Sequence, residues 1–275
     1  MYRFLFSRQW LGWLGMVLVI AAGCVALGRW QLERREAVVE DIQRIEANYD
    51  AAPERYVPGE NGFDSYDADE EWSPITFVGT YDVENQVVAR NRPLNGQPGY
   101  EVLTPLMLDD GTAVIIDRGW LPIGNIQAGR PDEIPAPPSG QVEVTARVKP
   151  GEPEVNRGAP EGQVASIHLP ELAKRLDYPL QDAAYGQLAL ERPAAEVTPQ
   201  APPKPSIDEG PHLSYSLQWF AFGVLAFIGL GYAARAQRRS DAERDGTVDL
   251  RPTRARRRPS SEEEEDAILD SQGMR

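Results

Sequence analysis

The chain has 275 residues, 42 acidic and 28 basic for a net charge of −14, two histidines and one cysteine. That length suits one sizeable domain with extras and excludes several large ones. The negative charge is concentrated between Glu36 and His212, with 31 acidic residues against 13 basic, about −18, a surface that repels phosphate backbones and excludes nucleic-acid binding there.

The mean hydropathy of −0.43 averages over two unlike regions. Apolar residues gather in two blocks, Trp10 to Leu27 and Leu213 to Ala234, and the rest is acidic and proline-rich. Cys24 lies in the first block, so the middle of the chain has no disulfide, no thiol chemistry and no copper-carrying Cys-x-x-x-Cys.

Residues 1–9 are a short N-terminus. Residues 10–30 carry no charge until Arg29; roughly 20 apolar residues at 1.5 Å each cross a hydrocarbon core of about 30 Å. Trp10 and Trp30 bracket the run as interfacial aromatics do. Gly12, Gly15, Ala22, Gly23 and Ala26 offer a small-residue surface to a partner helix. A cleaved signal peptide is the weaker reading, because the run is long and no Ala-x-Ala site precedes a mature start. A lipid-attached Cys24 lacks the bulky aliphatic residue three positions earlier, and the apolar run continues past it. A membrane span is favoured.

Residues 31–71 read as a helical extension, with Leu32, Val38, Val39, Ile42 and Ile45 at helical spacing, followed by an acidic irregular loop from Ala52 to Glu71. Residues 72–193 read as a β-rich domain. The expected strands are Ile75 to Gly79, Gln86 to Arg90, Tyr100 to Leu108, Thr112 to Arg118, Val142 to Val148 and Tyr185 to Glu191, with one short helix at Leu169 to Leu176. Asp110-Gly111 between apolar runs marks a hairpin. These elements make an antiparallel sheet or small barrel of six or seven strands. Residues 194–210 are a Pro/Ala-rich linker.

Residues 211–234 form the second span, opened by Pro211, whose missing N–H costs a helix nothing there. Residues 235–275 are a charged tail, basic at Arg235, Arg238, Arg239, Arg254 and Arg256 to Arg258, then acidic from Glu262 to Asp266, and are read as disordered. Arg3 and Arg8 precede the first span and Arg235, Arg238 and Arg239 follow the second, so both termini are placed in the cytoplasm. Arg29, Arg34 and Arg35 dissent, outvoted by the two ends. The fold class is membrane α+β: two transmembrane helices flanking an extracytoplasmic β domain, at the cell membrane.

The catalytic inventory is thin, with no phosphate loop, no Gly-x-Ser-x-Gly and no Cys/His metal cluster. Asp109, Asp110 and Asp117 read as a solvated turn and its flank. Arg90 and Arg92 read either as loop solubility or as a docking surface for a carboxylate or a haem propionate. His168 precedes a short helix and reads as exposed or capping. His212 opens the second apolar run, and on a helix Tyr215, Ser216 and Trp219 share its face. An imidazole there ligates a haem iron or belongs to an interfacial aromatic belt.

Five blocks in order resemble the surfeit locus protein one family of cytochrome c oxidase assembly factors. They are Gly28-Arg-Trp-Gln-Leu-Glu-Arg34, Ile75-Thr-Phe-Val-Gly-Thr-Tyr-Asp82, Gly99-Tyr-Glu-Val-Leu-Thr-Pro105, Val114-Ile-Ile-Asp-Arg-Gly-Trp-Leu-Pro122 and His212-Leu-Ser-Tyr-Ser-Leu-Gln-Trp-Phe220. The resemblance implies a non-catalytic role in assembling an aa3-type terminal oxidase, by delivery or retention of haem a at the catalytic subunit. It implies His212 as a transient haem a ligand, with Tyr215 and Trp219 beside it, and no other metal. The partners implied are the oxidase catalytic subunit or the haem a synthesis machinery, within the bilayer. Arg90, Arg92, Arg118 and Trp120 are the interaction candidates. The rival reading is a structural module that stabilises an oxidase intermediate without touching haem.

Overall fold

The computed structural model describes residues 3–59, 62–127 and 129–244. They fall into two compact units, Met1–Glu33 with Pro211–Arg275, and Arg34–Gly210. Helix α1 (Arg8–Asn48) starts in the first and ends in the second. No proline interrupts it over 41 residues.

In the first unit α1 packs antiparallel against α3 (His212–Arg244). The shielded positions include Val17, Ala21, Cys24, Gly28 and Gln31 on α1 and His212, Ser216, Trp219, Gly223, Ala226 and Leu230 on α3, with Phe220 beside them. Both series step by four and three residues, the seam spacing of left-handed helix pairs. Small residues bring the backbones close. A Cβ on Gly28 would lie 2.8 Å from the Phe220 ring, and one on Gly223 would lie 3.5 Å from Cys24 Cβ. Ser216 Oγ donates to the Gly28 carbonyl at 2.9 Å.

This corrects the expected small-residue surface: Gly12, Gly15 and Gly23 have nothing within 4 Å of where a Cβ would stand. Composition showed small residues, but only the heptad phase selects which of them meet a partner. The tail is corrected as well. α3 continues to Arg244, since Arg235 to Arg244 contains no helix breaker; residues 245–275 lie outside the described residues.

The second unit is built on a closed barrel. Its walls are β2 (Pro74–Tyr81), β4 (Gly99–Leu108), β5 (Ala113–Pro122), β6 (Gln141–Pro150) and β8 (Ala184–Arg192). β2 pairs with both β6 and β4, β6 with β8, β8 with β5, and β5 with β4. The ring therefore shuts on five strands, with only β5 and β8 parallel. This is the Greek-key connectivity of OB-type barrels. β1 (Glu54–Arg55), β3 (Val87–Arg90) and β7 (Gln163–Val164) extend the edges, and α2 (Leu169–Ala173) covers one wall. Eight strands are thus described, where the sequence suggested six or seven.

Phe77, Leu106, Val114, Ile116, Val144 and Val148 fill the barrel. A second cluster under α2 joins Leu169 and Leu172 to Leu103, Ile115 and Tyr185. β5 lies between the two, so its first nine residues are buried on both faces. The acidic stretch 52–71 is not all loop: Phe63 is fully buried, with its ring 5.0 Å edge-on from Phe77.

The proline-rich segment 194–210 is held along its length. Trp120 N donates to Gln200 O at 2.8 Å and Gln200 N returns to Trp120 O at 2.9 Å. Lys204 pairs with Asp50 at 2.5 Å, and Glu209 with Arg35 at 2.7 Å.

Candidate functional site

The helix pair places His212 opposite Gln31. Nδ1 of the imidazole lies 3.0 Å from Gln31 Oε1. With the amide oxygen as acceptor, the Nδ1–H tautomer donates to it, and in that neutral form Nε2 carries the lone pair. This is how a metal-ligating histidine is usually oriented, its second nitrogen anchored to an acceptor that fixes tautomer and ring plane. Trp219 is half-buried on the same face, whereas Tyr215 is 47% exposed beside it. Gln31 was not singled out from the sequence. Counting the four-and-three seam from Val17 and from Ser216 would have paired it with His212.

The Asp117-Arg-Gly-Trp120 segment of β5 joins the domain together. Arg118 follows Val114 and Ile116 on the inward face, its side chain wholly buried. Its guanidinium donates to Pro135 O at 2.7 Å, approaches Glu191 at 3.8 Å and lies 5.5 Å from the centre of the Tyr81 ring. Gly119 holds φ +125°, and a Cβ there would stand 2.7 Å from Gln200 O, so only glycine lets the proline-rich segment pair with β5. Trp120 is buried and its Nε1 donates to Arg92 O at 2.7 Å.

Asp117 points to the outer wall with Ile115, into a buried charge cluster that the sequence did not reveal. Its Oδ1 accepts from Gly119 N at 3.0 Å, while Oδ2 is buried without a partner. Burial, then the nearby Glu101, push its pKa up from 3.8 to about 8. Glu101 is also raised, by burial first, against the pull of Arg92. Arg92 sits between carboxylates, 3.1 Å from Glu101 and 2.6 Å from Glu152.

These contacts correct the interaction candidates. Arg118 and Trp120 are interior, and Arg92 is already matched to two carboxylates of its own domain, so none of the three offers a free docking group. A stretch rich in both signs paired inward, which composition does not show. Arg90 is half-buried at the end of β3. Among the described residues no group of three His, Cys, Asp or Glu side chains is arranged to hold a metal ion. His168 occupies the N-cap of α2, but its side chain makes no capping bond.

The SURF1 family profile matches residues 18–224, from the first apolar helix into the second. An uncharacterized SURF1-like protein of Mycobacterium bovis is 35% identical over 248 residues, covering 84% of this chain and 88% of the relative. A counterpart from Mycobacterium tuberculosis matches to the same extent. A SURF1-like protein of Dictyostelium discoideum is 30% identical over 107 residues, 37% of this chain and 38% of its own. With the matched span reaching into both long helices and taking in the whole barrel, this chain belongs to the SURF1 family.

Proposed function

We propose that the protein is a non-catalytic assembly factor for an aa3-type cytochrome c oxidase, holding haem a through His212 for delivery to, or retention at, the catalytic subunit. The family is known generally for cytochrome oxidase assembly factors. The observation that carries the finer reading is the His212–Gln31 contact, which leaves Nε2 able to bind iron. Haem a, when bound, supplies the redox-active iron. The chain's own part is to present one nitrogen in a fixed orientation, with Trp219 and Tyr215 offering ring surface to a flat apolar ligand. A single protein ligand at a helix start suits release, since a second axial ligand would tighten the hold.

In this reading α1 and α3 cross the cell membrane, both being long and apolar enough to do so. Both termini lie in the cytoplasm and the barrel outside, following the arginines that flank the two ends. The barrel then supplies protein contacts to the oxidase subunit or to the haem a synthesis machinery.

The test is a visible spectrum of the full chain purified after co-expression with haem a synthesis. Wild type is expected to carry haem a and His212→Ala to lose it. Gln31→Leu should weaken retention by about 10–100-fold, the usual cost of losing an orienting partner. Unchanged haem a in the His212→Ala protein would defeat the ligand assignment. Haem-free wild type that still binds an oxidase intermediate would establish the structural-module alternative.

A further inference from the structure

The end of the helix pair away from His212 holds a cavity of about 530 Å³ between α1 and α3. Gly229, which lines it, is 17 residues beyond His212 on α3, roughly 25 Å along a helix. The cavity is graded. Val17, Trp13, Gly229 and Leu230 line its inner part, whereas Ser7, Gln9 and Gln237 sit towards the helix ends. Phe4 closes the side, its ring edge-on to Trp10 at 5.2 Å. The wall is open at Gly229, where nothing lies within 4 Å of the position a Cβ would take.

The polar end is positive. Arg8 stands between the lining residues Ser7 and Gln9; Arg235, Arg238 and Arg239 flank Gln237, and all four are exposed. Arg244 adds a fifth positive charge, against Asp241 and Glu243. The nearer of these two, Asp241, accepts a bond from Gln237 Nε2 at 2.9 Å. An apolar slot whose polar end of amides and a hydroxyl lies among arginine-rich helix ends matches one chemistry, an acyl chain ending in an anionic head group. Basic pockets between membrane helices bind such head groups, and the volume lies within the ~300–1,000 Å³ of ligand sites.

We propose that this cleft is a specific site for an anionic phospholipid, with the acyl chain along Gly229 and Leu230 and the phosphate at Arg8 and Arg235. The proposal rests on the reading of α1 and α3 as membrane spans and is independent of haem binding at His212.

The full chain is reconstituted in phosphatidylcholine membranes containing phosphatidylglycerol, extracted in mild detergent and examined by native mass spectrometry. Wild type should retain one phosphatidylglycerol per chain in preference to phosphatidylcholine. Gly229→Phe, which fills the slot, should lose it. The Arg8→Gln/Arg235→Gln double variant should lose roughly thirtyfold of the preference, and an unchanged far-ultraviolet circular dichroism spectrum reports its folding separately. Equal retention of the two lipids, retention unchanged in Gly229→Phe, or a lipid-free dimer through this face would each overturn the proposal. Release of the protein from membranes by alkaline carbonate would instead sink the two-span reading beneath it.

Discussion

Asp117 shows how a single buried carboxyl becomes a reporter of the domain. In the folded protein its pKa is raised to about 8, against 3.8 when exposed. Below about pH 4 both states hold the proton. Between the two values the folded state keeps it and the unfolded state releases it, so this group's contribution to stability falls as pH rises and levels off above 8. Glu101, raised as well, acts in the same sense. Thermal unfolding followed by near-ultraviolet circular dichroism should therefore show a midpoint that drops from pH 5 to pH 8. In Asp117→Asn, which keeps the acceptor for Gly119 N, that slope should flatten. Phe63 makes a second case at the same scale. Truncation to alanine is expected to cost about 3–5 kcal/mol, measured by denaturant unfolding, although its flanking sequence reads as acidic loop. The aromatic neighbours Tyr56 and Phe77, not local pattern, decide its burial.

Among the elements, the helices and most strands were legible because their signals are local. An uncharged apolar run identifies a long apolar helix, and short β-branched or apolar runs bounded by turn residues identify β2 and β6, whose burial alternates along much of their length. β5 was found as a strand, but its faces could not be told apart, because both are covered. That is why the sequence groups Asp117 with the hairpin at Asp109 and Asp110 and not with the charge cluster. The helix seam was missed for a related reason: glycines on α1 are numerous, and only the phase shared with α3 selects Gly28 over Gly12, Gly15 and Gly23. The seam makes a direct prediction. A Gly223→Cys variant places a second Cβ about 3.5 Å from that of Cys24, inside disulfide range. Mild oxidation should protect both thiols from maleimide labelling, and two persistently reactive thiols would contradict the pairing.

Over the whole chain, the two units were legible as blocks of opposite composition, and the closure of the barrel was not. Closure depends on β4 changing partners, from β3 along Tyr100–Leu103 to β2 along Leu106–Leu108, a long-range choice that leaves no local trace. The segment Asp117-Arg-Gly-Trp120 reflects that architecture more than chemistry. Arg118 ties β5 to Pro135 and Glu191, and Trp120 ties it to Gln200 and Arg92. Residues that sequence reading offers as surface contacts are here the joints of the barrel.

The ion pair between Arg35 and Glu209 brings together side chains from the first and last turns of chain in the second unit. The polypeptide enters and leaves that unit through one gate, so everything between is a cassette whose ends stay in register however its interior is elaborated. A segment whose two ends are already held side by side is the natural piece to transplant between relatives.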